Sequence, residues 1–429
     1  MTVEPAALPE EAPPAPPPEP LRPVSLSERV ETIDILRGLA LFGILAANIR
    51  GFAGPPITYI MPHLYWTALH DRIAQAFVDT FIQGKFITIF AFLFGVGFAV
   101  QFDRASARSG KFGWTYSRRL FILLLFGLVH GLLIWFGDIL LMYALDGFLL
   151  LLFRKRRDKT LVVWAAILLS IIPLIMTAAF VASQVGVKMP DMKPPAAEIA
   201  KAAATYANGT WIEIQRHRMM DAVKYNWGYF LVVAPQILGV FLLGVFAWRK
   251  RFFHPSPACL PRYRNAMLWG LGAGVAGNVG MTLVHAVNPS PMPTTWLKYS
   301  MALVHAICVP ALSLGFICLV ILICQDAWWR ARLHRFGAVG RTALTNYLLQ
   351  SVIGTLIFYN YGLGLFGAGP ALLLLPTVLI FAAQMYASSW WLARYRFGPV
   401  EWLWRRLTYK GPLPMRREKM VEAAEQIPA

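Results

Sequence analysis

Residues 120–153 read LFILLLFGLVHGLLIWFGDILLMYALDGFLLLLF, and this stretch decides the fold. It follows Arg118 and Arg119 and ends at Arg154, so an apolar run lies between two basic clusters. As one straight helix it would be about 51 Å long at about 1.5 Å per residue, far more than a hydrocarbon core of about 30 Å. We therefore expect a helical hairpin. The alternative is one tilted span with a re-entrant piece.

The break in the hairpin is expected at Phe136-Gly137-Asp138. Glycine tolerates a tight turn, and an aspartate can accept from the free N–H groups at the start of the next helix. Because short loops rich in Lys and Arg are retained in the cytoplasm, both ends of the hairpin should be cytoplasmic and its tip should face outward. His130 then lies about two turns below the outer tip.

The composition indicates an all-α, polytopic membrane protein. Hydrophobic residues make up 57% of the 429 residues, charged residues make up 14%, and the mean hydropathy is +0.53. This is too apolar for a soluble chain of that length. We expect about ten transmembrane helices in a bacterial inner (plasma) membrane, with both termini cytoplasmic. The expected spans are residues 33–52, 80–101, 120–136, 138–153, 160–182, 228–248, 265–287, 299–323, 342–359 and 370–392.

The formal net charge of +18 follows from this topology. With both termini inside, the cytoplasmic stretches hold 30 of the 40 Lys and Arg residues. Such a distribution is typical of loop retention and argues against a nucleic-acid groove. Some of these residues can also contact anionic head groups, so the expected partners are membrane lipids and not nucleic acid.

Five parts of the chain follow from the pattern. Residues 1–27 are rich in Pro and Glu, cannot bury a core, and are expected to form a disordered cytoplasmic tail. The remaining parts are an N-terminal membrane half (28–182), an outer, periplasmic loop (183–227), a C-terminal membrane half (228–410) and a polar tail (411–429). A Walker motif, HExxH, GxSxG and Cys/His clusters with metal spacing are all absent from the sequence, so we expect no metal site.

Ionisable residues at membrane depth are candidates for function because their burial is costly. Toward the outer side these are His130, Asp138 and Lys85, with His70 on the first outer loop. His130 is a candidate general base, or a neutral histidine that bonds a neighbouring helix. Asp138 is a candidate partner of His130, or simply a helix cap. Lys85 is a candidate anion binder, or a side chain that reaches the interface.

A second layer of polar residues is expected toward the cytoplasm. Arg37 lies near the start of the first span, and the ninth span begins Arg341-Thr-Ala-Leu-Thr345-Asn346 and continues to Gln350. Asn346 and Gln350 are four residues apart and share a helix face. These five residues are candidates for a cytoplasmic ligand pocket. The alternatives are topological retention for the arginines and helix-to-helix hydrogen bonds for Asn346 and Gln350.

Five motifs in order resemble the YeiB-like bacterial inner-membrane proteins, whose C-terminal half is catalogued as a domain of unknown function. They are Asp34-Ile-Leu-Arg37-Gly38, Gly84-Lys85-Phe86, His130-Gly131 with Gly137-Asp138, Gly340-Arg341 through Gln350, and Gly398-Pro399-Val-Glu401-Trp402. The Asp-x-x-Arg-Gly start is also similar to that of polytopic acyltransferases, including the heparan-alpha-glucosaminide N-acetyltransferases. In those relatives a histidine on the first outer loop is implicated in acetyl transfer, and His70 occupies a comparable place.

The resemblance and the layered polar residues favour a transmembrane acyltransferase. Acyl-CoA would be a co-substrate bound near Arg37, Arg341 and Asn346, and no cofactor would be held permanently. His130, with His70 as its rival, would deprotonate a small-molecule, lipid or glycan acceptor, while Lys85 stabilises the oxyanion. The alternative is a transporter or exporter of a small polar or amphipathic solute, with His130 and Asp138 as a proton relay. A non-catalytic membrane scaffold is a third reading.

Overall fold

The computed structural model describes residues 30–59, 61–107, 112–188, 193–288, 292–409 and 413–416. The expected tail over residues 1–27 and most of the 411–429 tail lie outside the described residues. Over the described ranges the chain forms helices and no strand. The helices are α1 (Glu31–Ala53), α2 (Leu69–Phe81), α3 (Lys85–Ala107), α4 (Phe112–Val129), α5 (Leu140–Leu150), α6 (Asp158–Gln184), α7 (Ala196–Asn208), α8 (Trp211–Asp221), α9 (Gly228–Arg249), α10 (Leu260–Val287), α11 (Trp296–Ile323), α12 (Ala327–Arg341), α13 (Ala343–Phe358), α14 (Pro370–Arg394) and α15 (Pro399–Thr408).

The helices confirm the prediction of an all-α polytopic protein. Within the described part of the chain, eight helical segments are long and apolar enough to cross a membrane. Two shorter apolar helices, Leu140–Phe153 and Ala343–Phe358, correspond to the fourth and ninth predicted spans. Together these ten segments match the ten that hydropathy predicts.

The stretch 120–153 forms the predicted hairpin. A Cβ built on Gly127 of α4 would overlap the backbone of Leu141 in α5, and one built on Gly147 of α5 would press on the Leu120 side chain. These contacts place the start of one helix beside the end of the other. The two halves are therefore antiparallel, as a tight hairpin requires.

The basic clusters meet at one end of the bundle, which we call the basic end. Arg249, at the end of α9, donates to the Arg156 carbonyl between α5 and α6 over 2.7 Å. At the start of α4, the Arg119 guanidinium lies 3.6 Å from the ring centroid of Trp404 in α15. The last described helix thus lies at the same end as these clusters, as the predicted topology requires.

The other end of the bundle, which we call the opposite end, is closed by loops. Gly367, between α13 and α14, donates its N–H to the Ala53 carbonyl over 2.6 Å, and the Trp66 indole donates to the Gly367 carbonyl over 3.3 Å. These bonds join the end of α1 to the loop before α14. Helices α7 and α8, from the predicted outer loop, lie here as well: the Asn360 N–H donates to the Tyr206 carbonyl over 3.2 Å.

Helix α12 was not predicted, because its four arginines made it resemble a basic loop. Asp326 caps its first turn and accepts from the Trp328 and Trp329 amides over 2.8 and 3.1 Å. The helix packs on α1 with almost no space between the backbones, since a Cβ on Gly38 would overlap the Phe336 carbonyl. Small residues permit such close approach in membranes, where van der Waals packing drives helix association.

We predict that Gly38→Ala lowers the free energy of unfolding by about 1–3 kcal/mol, because the new methyl group forces α1 and α12 apart. Gly272→Ala in α10 is the matched control, since a Cβ there meets no atom within 4 Å. Thermal unfolding of the detergent-solubilised protein measures both. Equal midpoints for Gly38→Ala and wild type would show that the close contact is dispensable.

Candidate functional site

The break in the hairpin begins earlier than predicted. Helix α4 ends at Val129, a π-helical turn covers His130–Ile134, and irregular backbone continues until α5 begins at Leu140. Asp138 caps α5 as expected, because its Oδ2 accepts from the Leu141 N–H over 2.7 Å. Irregular backbone at membrane depth is tolerated only where protein or a cavity surrounds it. We therefore expect protein or a cavity to surround this segment inside the bundle.

Helix α8 satisfies the carbonyl groups that the break exposes. Arg218 donates to the carbonyls of Leu133 and Ile134, both over 2.6 Å, and Gln215 donates to the Leu132 carbonyl over 2.6 Å. The Arg218 side chain is buried, and its charge lies at the C-terminal end of a helix, where a cation is favoured. The predicted outer loop is thus a structural part of the site.

Three buried side chains form a continuous hydrogen-bonded chain beside the break. His130 Nδ1 lies 2.8 Å from Asp138 Oδ1, and His130 Nε2 lies 2.9 Å from Ser351 Oγ in α13. Because a carboxylate oxygen accepts hydrogen bonds, we assign the imidazole proton to Nδ1. His130 then donates to Asp138 and accepts from Ser351, so the three groups have the order Ser-His-Asp.

Tyr347, one turn before Ser351 on α13, contacts the same break. Its hydroxyl donates to the Gly137 carbonyl over 3.3 Å and accepts from the Ile139 N–H over 3.4 Å. Its ring centroid lies 5.0 Å from that of His130. Helix α13 is therefore joined to the break by a tyrosine and a serine on one face.

A cavity of about 1520 Å³ opens at the opposite end. Asp138 and Tyr347 form part of its inner wall, while α1, α2, α3, α6, α9, α10 and α11 contribute most of the remainder. Arg50 donates to Asp79 over 3.3 Å, and Gln75 donates to the same carboxylate oxygen over 2.7 Å. We call this space the opposite-end cavity.

Basic groups gather near the mouth of the opposite-end cavity. His63, Arg72 and Lys298 line it, and Lys298 Nζ donates to the Asn288 carbonyl over 2.7 Å. Burial lowers the pKa of His63, and the charges of Lys193, Lys298 and Arg72 lower it further. His63 is therefore neutral at pH 7.

A second, smaller cavity of about 270 Å³ lies at the basic end. Five arginines line it: Arg37, Arg104, Arg119, Arg341 and Arg405. Its wall also includes Asp34 and the buried Glu401. We call this space the basic-end cavity.

The two cavities share a thin partition. Ile44, Ile139 and Tyr347 line both of them, so each side chain has one face toward either space. Asp138 adjoins Ile139 and lines only the opposite-end cavity. A group bound on one side of the partition would lie within a side chain's thickness of a group on the other side.

The residues predicted for the outer side do not all lie together in the structure. Asp138 lines the opposite-end cavity, and His130 lies directly behind it, fully buried. Lys85 is also buried and donates to the Asp79 carbonyl over 2.6 Å. Its sequence neighbours Gly84 and Phe86 line the cavity. The His70 side chain is 71% exposed beside Asp71 and does not line either cavity.

The predicted inner residues separate as well. Arg37 and Arg341 line the basic-end cavity. Thr345 donates its hydroxyl to Glu401 over 2.5 Å, and Glu401 also accepts from the Thr345 amide, so it caps α13. Asn346 donates to Ser388, and Gln350 donates to Gln384, which joins α13 to α14.

Some residues of the site were missed in the sequence. Ser351 and Tyr347 gave no local signal, because their partners lie more than 200 positions away. His285, His305 and Lys298 line the opposite-end cavity and did carry a signal. They are ionisable residues inside or beside apolar spans.

Comparison with known proteins gives similarity over nearly the whole chain. Residues 247–411 match a family model described as "Protein of unknown function (DUF418)". The chain is 36% identical to the uncharacterized protein YxaH of Bacillus subtilis, covering 94% of this chain and 99% of that protein. It is 31% identical to the uncharacterized protein YeiB of Escherichia coli, covering 90% and 98%. An uncharacterized 39.9 kDa protein of Bacillus acidopullulyticus is 28% identical over 92% and 99%.

We predict that Arg218→Gln lowers the free energy of unfolding by about 2 kcal/mol or more, because two buried carbonyls lose a charged donor. Arg216→Gln, on an exposed position of the same helix, is the control and should change little. Thermal unfolding in detergent measures the difference. If both variants unfold like wild type, α8 does not cap the break.

Ser351→Ala should lower the free energy of unfolding by about 1–3 kcal/mol, because His130 Nε2 loses its donor in a buried place. Ser389→Ala removes a hydroxyl that donates to a carbonyl of its own helix, and it should cost less than about 0.5 kcal/mol. The same unfolding assay compares them. Equal effects would argue against a hydrogen bond between Ser351 and His130.

Proposed function

The chain belongs to the family of YeiB and YxaH, and within this family we propose that it acts as a membrane-bound acyltransferase. The observation that supports the proposal is the partition formed by Ile44, Ile139 and Tyr347, which separates the two cavities. A donor on one side and an acceptor on the other would meet at this partition. Movement of one side chain of the partition would bring the two reactants into contact, and holding them in that geometry is itself a large source of catalysis.

The basic-end cavity is suited to the thioester donor. Its arginines match the planar, bidentate recognition of phosphate groups that acyl-CoA carries. A volume of about 270 Å³ admits the thioester arm but not a whole nucleotide. The nucleotide would remain at the mouth, while the arm extends toward Tyr347. Under the positive-inside rule this end faces the cytoplasm of a bacterial inner membrane, where acyl-CoA is present.

Asp138 is the group placed to receive the proton of the acceptor. It lines the opposite-end cavity next to the partition, and its other contacts leave room for one further donor on the carboxylate. The acceptor hydroxyl or amine gives its proton to Asp138, its oxygen or nitrogen bonds to the acyl carbon, and the carbon–sulfur bond breaks. The thiolate leaves into the basic-end cavity and takes a proton from solvent there.

His130 and Ser351 act on this reaction through Asp138. His130 donates to Asp138 and so fixes the orientation of the carboxylate, while Ser351 fixes the tautomer of His130. His130 is thus a positioning residue here and not the direct base that its sequence context predicted. Lys85 bonds a backbone carbonyl behind the cavity wall, so the oxyanion role expected for it is not part of the proposal.

We predict that Asp138→Asn lowers acyl transfer about 100-fold or more while the affinity for acetyl-CoA is unchanged. Arg341→Gln should weaken acetyl-CoA binding about tenfold, since it removes one charged contact to the donor. Arg394→Gln is the control, because Arg394 stacks on Trp390 at the surface and does not line either cavity. Binding is measured by calorimetry, and transfer by the movement of label from radiolabelled acetyl-CoA into membrane extracts.

Two results would contradict the proposal. One is a failure of the wild-type protein to bind acetyl-CoA. The other is that label remains in acetyl-CoA while proteoliposomes release a trapped solute through the wild-type protein. In the second case the two cavities would be the alternating gates of a transporter.

A further inference from the structure

The opposite-end cavity is larger than a small acceptor needs. Its volume of about 1520 Å³ exceeds the range of about 300–1,000 Å³ that is typical of sites for drug-sized ligands. The donor, in the proposed function, occupies the other cavity. The space at the opposite end therefore fits a bulkier molecule, with both polar and apolar surface to match the wall.

Polar and apolar wall residues lie at different depths. Lys298 lies in the first turn of α11 and His285 in the last turn of α10, both at the opposite end of the bundle. Ile172 and Met176 lie near the middle of α6, and Ile237 lies well inside α9. Charged groups thus lie at the mouth, and the side of the cavity formed by α6 and α9 includes apolar residues at mid-membrane depth. A lipid in one leaflet has the same order of head group and chain.

The wall also opens sideways. Ile307 of α11 and Ile73 of α2 line the cavity and have side chains that are 70% and 61% exposed, so the wall is open at these positions. Exposed apolar residues at this depth face lipid chains in a membrane protein. A chain can therefore pass between the cavity and the surrounding bilayer at these positions.

The polar groups at the mouth favour an anion. Each carboxylate on the wall already has a partner: Asp71 accepts from the Ala371 amide, Asp79 from Arg50, and Asp138 from the Leu141 amide. By contrast, Arg50 Nε is buried with no hydrogen-bond partner among the described residues. Lys298 has three donor hydrogens and one carbonyl acceptor in the described structure.

From this arrangement we infer that the acceptor is an anionic lipid, with a phosphate in its head group and a hydroxyl or amine beyond it. The role of this lipid as an acceptor rests on the proposed function. The lipid-binding site itself is inferred from the cavity alone. The phosphate lies near Lys298 and Arg50, and the chain lies along Ile172, Met176 and Ile237. The head-group hydroxyl reaches Asp138, where its oxygen bonds to the acyl carbon, its proton passes to the carboxylate, and the thiolate leaves on the other side of the partition.

Native mass spectrometry of the full chain tests the site without any acyl donor. The probes are phosphatidylglycerol, which has an anionic phosphate, a head-group hydroxyl and two chains; phosphatidylcholine, which is zwitterionic and lacks the hydroxyl; and glycerol 3-phosphate, which lacks the chains. We expect one phosphatidylglycerol to be retained about tenfold more strongly than either other probe. Lys298→Gln should remove that preference, whereas Lys201→Gln, on the exposed face of α7, should preserve it.

A second variant distinguishes binding of the lipid's acyl chain inside the cavity from binding of lipid to the outer surface of the protein. Ala306→Trp places a bulky ring in the cavity beside the exposed Ile307, and it should reduce phosphatidylglycerol retention about tenfold while the unfolding midpoint is maintained. Equal retention of the two phospholipids would overturn the inference, because it would indicate ordinary annular lipid. Retention of glycerol 3-phosphate as strong as that of phosphatidylglycerol would also overturn it, because the site would then bind a soluble anion. Neither result depends on acetyl-CoA binding, which tests the proposed function separately.

Discussion

The structure depends on one constraint: backbone that leaves the helix inside a membrane must have every N–H and C=O group paired. The stretch 130–139 is such a place, and it is too long for a single cap to satisfy. Arg218 and Gln215 from α8 supply donors for its carbonyls, Asp138 supplies an acceptor for the next helix, and Tyr347 from α13 bonds both kinds of group. Three separate parts of the chain, namely the hairpin, α8 and α13, are thereby held at one point.

The same bonds place the chemistry of the site. A regular helix would present one continuous wall, whereas the broken hairpin presents Gly137, Asp138 and Ile139 end-on to the bundle interior. Two cavities approach this point from either end and are separated by single side chains. A buried group of polar side chains is costly unless each member has a hydrogen-bond partner. Here His130 is paired with both Ser351 and Asp138. The fold and the proposed function thus depend on the same hydrogen bonds.

Much of the fold was predictable, because hydrophobic length is a strict requirement of a bilayer. The hairpin of residues 120–153 followed from its length and its flanking arginines, and Asp138 as a cap followed from the glycine before it. Helix α12 and the role of Arg218 did not, because basic residues outside apolar runs resemble ordinary loop charge. The pairing of His130 with Ser351 joins residues 221 positions apart, and no local pattern indicates it. For Asn346 and Gln350, the sequence predicted that the two residues share a helix face. Only the structure shows that their partner is α14.

The central claim is that a donor and an acceptor meet at the partition of Ile44, Ile139 and Tyr347. A density map of the protein bound to a non-reactive thioether analogue of acetyl-CoA tests it most directly. We expect the nucleotide over the arginines of the basic-end cavity, with the acyl carbon within about 4 Å of the Tyr347 side chain. An analogue bound with its acyl end at the surface, or elsewhere in the bundle, would show that the two reactants do not meet at the partition.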